Sequence, residues 1–288
     1  MWPKTNTVND IRKYIIKSLN KSFPNEHECN MFARILLSHI TGFNNSQLLL
    51  KQDLLINESD LVWLKKSLAK INKHYPIQYI VGYEYFMDLK IEVNKNTLIP
   101  RPETEELVNW ILTDFSDNQK SLLLLDIGTG SGCIAVAIKA NRLKWTVSGI
   151  DYNKETLKKA KSNAEKLNLD IDFQVNDILN YSFTKVKYDI IVSNPPYICE
   201  HEKAKMHENV LNFEPHSALF VPDDNPLIFY KNIAQIATKS LKDNGVLYLE
   251  INESLGNETI ELLKNSGFSI IELRKDLFGK DRMIKAEI

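Results

Sequence analysis

The sequence predicts a doubly wound α/β domain preceded by a small helical bundle. Three observations predict it. From about residue 122 onward, short β-branched runs alternate with segments of helical period, the pattern of a mostly parallel sheet covered on both faces. The first of those runs ends in a glycine-rich turn that opens a helix. The first 75 residues, by contrast, carry helical periodicity alone.

Composition permits this and excludes other classes. The chain has 288 residues, 43% hydrophobic and 25% charged, with 10 Gly and 10 Pro, so wholesale disorder, collagen-like repeats and a disulfide scaffold are set aside. Its length suits two domains. Net charge is −1, and the basic excess usual for a protein that lives on nucleic-acid phosphates is missing. The charge is uneven: residues 1–75 hold 11 Lys/Arg against 6 Asp/Glu, or +5, and residues 76–288 hold 25 against 31, or −6. Cys29, Cys133 and Cys199 form no CxxC pair and lie at no zinc-ligand spacing from the six His, so no metal is expected. The start of the chain lacks an apolar signal core, and no apolar run nears the roughly 18 residues that span a bilayer. A reduced, cytoplasmic protein is the expectation.

The elements follow in order. Ile11, Tyr14, Ile15 and Leu19 recur at helical spacing, as do Met31, Ile35, Leu36 and Ile40. A third helix is predicted over 59–73, with Leu61, Leu64, Leu68 and Ile71 on one face and Ser59 as its cap. Residues 1–75 therefore read as a bundle. In 76–100, Pro76, Gly82 and the alternation Lys90-Ile91-Glu92-Val93 predict a β-hairpin linker. The segment Leu98-Ile99-Pro100-Arg101-Pro102-Glu103-Thr104-Glu105 enters a helix at about Glu103, with Pro102 near its first turn, and opens the domain 101–288. Strands are predicted at 122–125, 146–150, 171–175, 189–193, 246–251 and 269–273, and helices at 133–140, 154–167, 227–241 and 254–265. Residues 199–225 show no clear period and read as a lid, a substrate loop or a helical insertion.

Doubly wound sheets bind ligands at the carboxyl ends of their strands, where strand order reverses. The first strand there ends in Leu125-Asp126-Ile127-Gly128-Thr129-Gly130-Ser131-Gly132-Cys133. A dinucleotide turn wants G-x-G-x-x-G, and Cys133 occupies its third glycine position. The spacing G-x-G-x-G after Asp126 suits S-adenosylmethionine instead, whose ammonium favours a nearby carboxylate. The second strand ends at Asp151, which could accept ribose hydroxyls or cap the following helix. The third ends at Asn176-Asp177-Ile178, where Asp177 could accept from the adenine amino group. Three successive acids at strand ends favour an adenosine ligand.

The fourth strand ends in Ser193-Asn194-Pro195-Pro196-Tyr197. Two prolines stiffen the backbone, so the Asn194 side chain and the Pro195 carbonyl offer two acceptors to a planar NH₂ group, and Tyr197 offers it an aromatic face. An amide nitrogen is a poor nucleophile because its lone pair is delocalised. Holding both N–H bonds and excluding water turns that lone pair toward an electrophilic methyl. No His or Lys lies in the motif, so Asn194 orients rather than acts as a base.

On these residues the chain resembles the HemK-type glutamine N5-methyltransferases, which modify peptide-chain release factors. The resemblance runs through Gln78-Tyr79-Ile80-Val81-Gly82, the segment Leu98-Ile99-Pro100-Arg101-Pro102-Glu103-Thr104-Glu105, the glycine turn of residues 126–133 and Asn194-Pro195-Pro196-Tyr197. It closes on Asp276-Leu277-Phe278-Gly279-Lys280-Asp281-Arg282. It implies a Rossmann-like class I S-adenosylmethionine-dependent methyltransferase domain, with S-adenosylmethionine as cofactor and S-adenosylhomocysteine as product. It further implies that Gly128, Thr129, Gly130, Ser131, Gly132, Asp151 and Asn194 contact the cofactor, and the strand-end residues Asp126, Asp177 and Ile178 are candidates for the same site. Substrate glutamine would be held by Asn194, Pro195, Pro196 and Tyr197, with Arg101 and Glu103 either in contact with it or paired at a helix start. Ile178 stands where many members carry an aromatic residue. A release factor is the expected partner, docked by the basic bundle, with no direct nucleic-acid or membrane contact. The alternatives are an adenine-N6 methyltransferase of DNA or RNA, which shares the Asn-Pro-Pro-Tyr chemistry, a nucleotide-binding regulatory module, and a dehydrogenase.

Overall fold

The structure, a computed structural model, describes residue 3, residues 5–180 and residues 186–288. It divides into two compact units, one of residues 1–82 with 208–213, the other of residues 83–207 with 214–288.

The first unit is helical: α1 (Val8–Leu19), α2 (Glu26–Thr41), α3 (Asn45–Leu50), α4 (Glu58–Ile71) and α5 (Ile77–Val81). Side chains set the starts. The Thr7 hydroxyl accepts from the Asp10 amide at 3.2 Å, and Asn44 and Gln47 cap α3 reciprocally. Ser59 does not cap α4, which begins two residues earlier from Asn57. Ile11, Ile15, Leu19, Leu64, Leu68 and Ile71 are buried as their spacing predicts, each stabilising the bundle by about 1.5–3 kcal/mol. In α2 the buried face is Cys29, Phe32, Ala33, Leu36 and Leu37, one position round from the predicted stripe, and Met31 is exposed. The bulky Phe32, not Met31, carries that face.

The segment 76–100 begins as helix α5 rather than strand, and Gly82 ends it in the left-handed region at φ 84°. The hairpin follows: β1 (Tyr83–Phe86) pairs antiparallel with β2 (Leu89–Glu92) across Met87 and Asp88, both at positive φ.

In the second unit α6 (Pro102–Asp114) precedes an alternation of β3 (Leu123–Ile127), α7 (Cys133–Asn141), β4 (Thr146–Asp151), α8 (Lys154–Lys166), β5 (Asp172–Val175) and β6 (Tyr188–Ser193). The stretch without period holds a short parallel pair, β7 (Ile198–Cys199) with β8 (Phe220–Val221). Between these two strands lies α9 (Glu208–Phe213), which groups with the first unit. Then come α10 (Ile228–Ser240), β9 (Leu241–Glu250), α11 (Gly256–Asn265), β10 (Ile270–Lys275) and β11 (Asp281–Glu287). Seven strands form one sheet in the order β10-β11-β9-β6-β3-β4-β5, parallel except at β11, which runs antiparallel to both neighbours.

Side-chain alternation along the strands explains why helices cover both faces. Leu124, Ile190, Val192 and Tyr248 join one apolar core with Trp110 and Val136. Their strand neighbours Leu125, Ile191, Leu247 and Leu249 join another with Tyr230 and Ile233. Strand order reverses between β3 and β6, so the ends of those two strands meet at the switch point. No helix among the described residues is long and apolar enough to cross a membrane.

Candidate active site at the switch point

The β3 end carries the glycine turn. Gly128, Gly130 and Gly132 all sit at positive φ, and Gly132 caps α7 in the left-handed region. A Cβ on Gly128 would meet nothing within 4 Å, whereas one on Gly132 would press on Ala160 at 3.0 Å. The first glycine thus leaves room for a ligand, and the last lets α7 close on α8. Asn163 of α8 locks the turn from behind, its Nδ2 donating to the Ser131 carbonyl at 2.9 Å.

Asp126 has no exposed surface. Its Oδ2 accepts the Thr129 hydroxyl at 2.6 Å, and its Oδ1 is buried without a side-chain partner. Burial pushes the carboxyl up to about 7, against the Thr129 bond. A cation brought to this turn would satisfy it.

Asp151, at the β4 end, spans the turn and the next helix: Oδ2 accepts from the Gly130 amide at 3.1 Å and Oδ1 from the Asn153 amide at 2.9 Å. Burial raises its pKa. The capping role open to it in the sequence belongs to Asn153, whose Oδ1 accepts from Glu155 and Thr156. Asp177 is exposed, and its oxygens serve its own turn through the Leu179 amide and Asn180 Nδ2. Ile178 packs against the α10-side core.

At the β6 end, Ser193 fixes the strand to its neighbour by donating to the Ile127 carbonyl at 2.7 Å. Asn194 then donates through Nδ2 to the Thr104 hydroxyl at 3.0 Å, and its Oδ1 has no partner among the described residues. Pro195 is buried and Pro196 half-buried. The Tyr197 hydroxyl donates to Glu250 Oε1 at 2.9 Å, and burial pushes its pKa well up, so it stays a donor. Thr104 donates to the other oxygen, Oε2, at 2.7 Å. Glu250 ends β9 with 1% exposure. Burial raises its pKa, opposed by these two hydroxyl bonds and by the charge of Arg282.

Arg101 is paired with Glu214, a carboxylate only 4% exposed, whose Oε2 also accepts from the Ile99 amide at 3.1 Å. It is therefore not paired at a helix start with Glu103, and the bond to Glu214 clamps the entry to α6 onto the 199–225 stretch. Glu103 is half-buried, and its charge reaches Glu250.

The comparisons with known proteins bear on the whole chain. A methyltransferase-domain family profile matches residues 118–271, and a PrmC N-terminal-domain profile matches residues 10–82. The release factor glutamine methyltransferase of Flavobacterium psychrophilum is 42% identical over 280 residues, 96% of this chain and 98% of that one. The chain belongs to the release factor glutamine methyltransferase family. The family's protein from Bacteroides thetaiotaomicron is 38% identical over 97% of this chain and 99% of its own length. Among solved structures, the hMettl16 catalytic domain in complex with MAT2A 3′UTR hairpin 6 matches with a TM-score of 0.56 at 16% identity, over 80% of this chain and 82% of that one, which shows the fold alone.

Three residues of the candidate site escape a reading of motifs, Asn163, Glu214 and Glu250, and Thr104 stands in the segment 98–105 without a role assigned to it. Glu250 did leave a signal, a single acid inside the otherwise apolar run 246–251. A carboxylate in a buried strand needs a partner, and here it has two.

Proposed function

We propose that the protein transfers a methyl group from S-adenosylmethionine to the side-chain amide nitrogen, N5, of the glutamine in the Gly-Gly-Gln motif of peptide-chain release factors. The observation that carries this reading is the state of Asn194 at the switch point: Nδ2 is tied to Thr104, and Oδ1 has no partner among the described residues. An acceptor held at that place suits the N–H of a planar NH₂ group. Relatives over nearly the whole length carry the corresponding name.

S-adenosylmethionine supplies an electrophilic methyl on a sulfonium. The residues present fit it: the open space at Gly128 suits close backbone approach, and the Asp126 carboxylate, whose Oδ1 has no side-chain partner among the described residues, suits its ammonium. Asp151 would take the ribose hydroxyls with its remaining lone pairs, and Asp177 and Ile178 would flank the adenine. On the substrate side, Asn194 Oδ1 and the Pro195 carbonyl would accept the two amide hydrogens, draining positive charge as it develops on nitrogen. Pro196 and Tyr197 fix the loop that presents them.

In the same reading the helical unit docks the release factor. A groove on it is lined by Arg12, His27, Met31, Arg34, Leu48 and Leu49, a mixture of cationic and apolar surface suited to an acidic partner with an apolar anchor.

The test is to incubate the protein with labelled methyl donor and purified release factors and to locate the label by peptide mass. Label on the Gly-Gly-Gln glutamine is expected, and label elsewhere or nowhere overturns the proposal. Asn194→Ala should reduce turnover at least about 100-fold, the scale of losing an oriented polar group in a transition state, while cofactor affinity changes little.

A further inference from the structure

A side-chain amide has two ends of similar shape, one that donates and one that accepts, so its hydrogen-bonding surroundings decide which faces a ligand. At Asn194 only the accepting end suits a substrate NH₂. The surroundings of Asn194 have a direction. Glu250 accepts through both carboxyl oxygens, the Thr104 hydroxyl at 2.7 Å on Oε2 and the Tyr197 hydroxyl at 2.9 Å on Oε1. Thr104 has one hydroxyl proton, and Glu250 holds it. Toward Asn194, at 3.0 Å, the Thr104 oxygen can therefore only accept, and Nδ2 is the end of Asn194 that donates. Oδ1 is left for the substrate.

We propose that Thr104 and Glu250 are positioning residues that set which way round the Asn194 amide lies, through a hydrogen-bond chain with one permitted direction. The proposal rests on reading residues 194–197 as the place of the acceptor amide. It also assigns work to the segment before the first strand: Thr104 stands in Pro102-Glu103-Thr104-Glu105, on the first turn of α6, 90 residues from Asn194 and 146 from Glu250. Without that acceptor, the Thr104 hydroxyl could equally donate to Oδ1. The amide would then present two N–H donors to a substrate that is itself a donor.

The pair of variants that tests this is Thr104→Val, which keeps the shape and removes the hydroxyl, and Thr104→Ser, which keeps the hydroxyl. Thr104→Val should lower kcat about tenfold to hundredfold with S-adenosylmethionine affinity within about twofold, and Thr104→Ser should recover most of the loss. Loss of the fixed direction also predicts a change in preference. Against a Gly-Gly-Gln peptide, a Gly-Gly-Glu peptide should bind relatively about fivefold tighter to the Val variant than to the unaltered protein, because a turned Asn194 offers N–H to a carboxylate. A purely structural defect would weaken both peptides alike.

A second readout needs no turnover. In protein labelled with ¹⁵N-asparagine, the Asn194 side-chain amide protons should exchange slowly in the unaltered protein and in Thr104→Ser, and faster in Thr104→Val. Equal kcat losses in Val and Ser, or equal exchange in all three, overturns the relay. If the unaltered protein methylates no glutamine peptide, the functional reading falls, and the exchange rates still decide the relay.

Discussion

A carboxylate with no exposed surface, as at Asp126, ties folding to pH. Its folded pKa of about 7 lies above the ordinary 3.8, so the folded state holds a proton that the unfolded state has lost. Stability from this group is complete below 3.8 and is lost as pH rises to about 7, on the order of 4 kcal/mol for a shift of this size. Asp126→Asn should flatten the fall of Tm across that window, and parallel Tm curves for the two proteins would refute the assignment. Asp126 and Asn194 could be found in the sequence because each stands within a contiguous motif at a strand end. Thr104 stands in a contiguous motif as well, but its bond to Glu250 could not be found, because it spans 146 residues and no local pattern encodes it.

At the scale of elements, the glycine turn separates two demands that its spacing alone merges. Gly130 has φ 57°, and a Cβ there would come no closer than 3.9 Å to another atom, so Gly130→Ala should cost only the left-handed backbone, about 1–2 kcal/mol. Gly132, at φ 81°, would in addition drive a Cβ to 3.0 Å from Ala160 and 3.3 Å from Phe173. Gly132→Ala should therefore be the more destabilising by about 1–3 kcal/mol, read from chemical denaturation midpoints. Equal losses would show that α7 can move off α8. The parallel strands were legible because burial on both faces writes them as apolar runs. The sheet's antiparallel strand β11 was not, because Asp281, Arg282, Lys285 and Glu287 make its seven residues look like a charged tail. The short helix α5 was hidden by Pro76 and Gly82, which read as hairpin punctuation and prove to be its two ends.

For the whole molecule, the near-zero net charge conceals an uneven distribution. The helical 1–75 carries +5 and the remainder −6, and the cationic groove residues Arg12 and Arg34 lie on the first unit. A protein substrate can meet such a division, docking by charge on one unit while a single side chain enters the other. Nucleic acid would instead need its positive surface at the chemistry. The consequence separates docking from transfer. An Arg12→Gln/Arg34→Gln variant should raise KM for an intact release factor about tenfold at low salt, with the KM of a short Gly-Gly-Gln peptide within about twofold. Raising ionic strength should shrink the difference between variant and parent, since exposed charges are screened over about 10 Å at 0.1 M salt. Comparable losses on the short peptide would place these arginines in the folding of the unit rather than in docking, and the charge division would then carry no recognition.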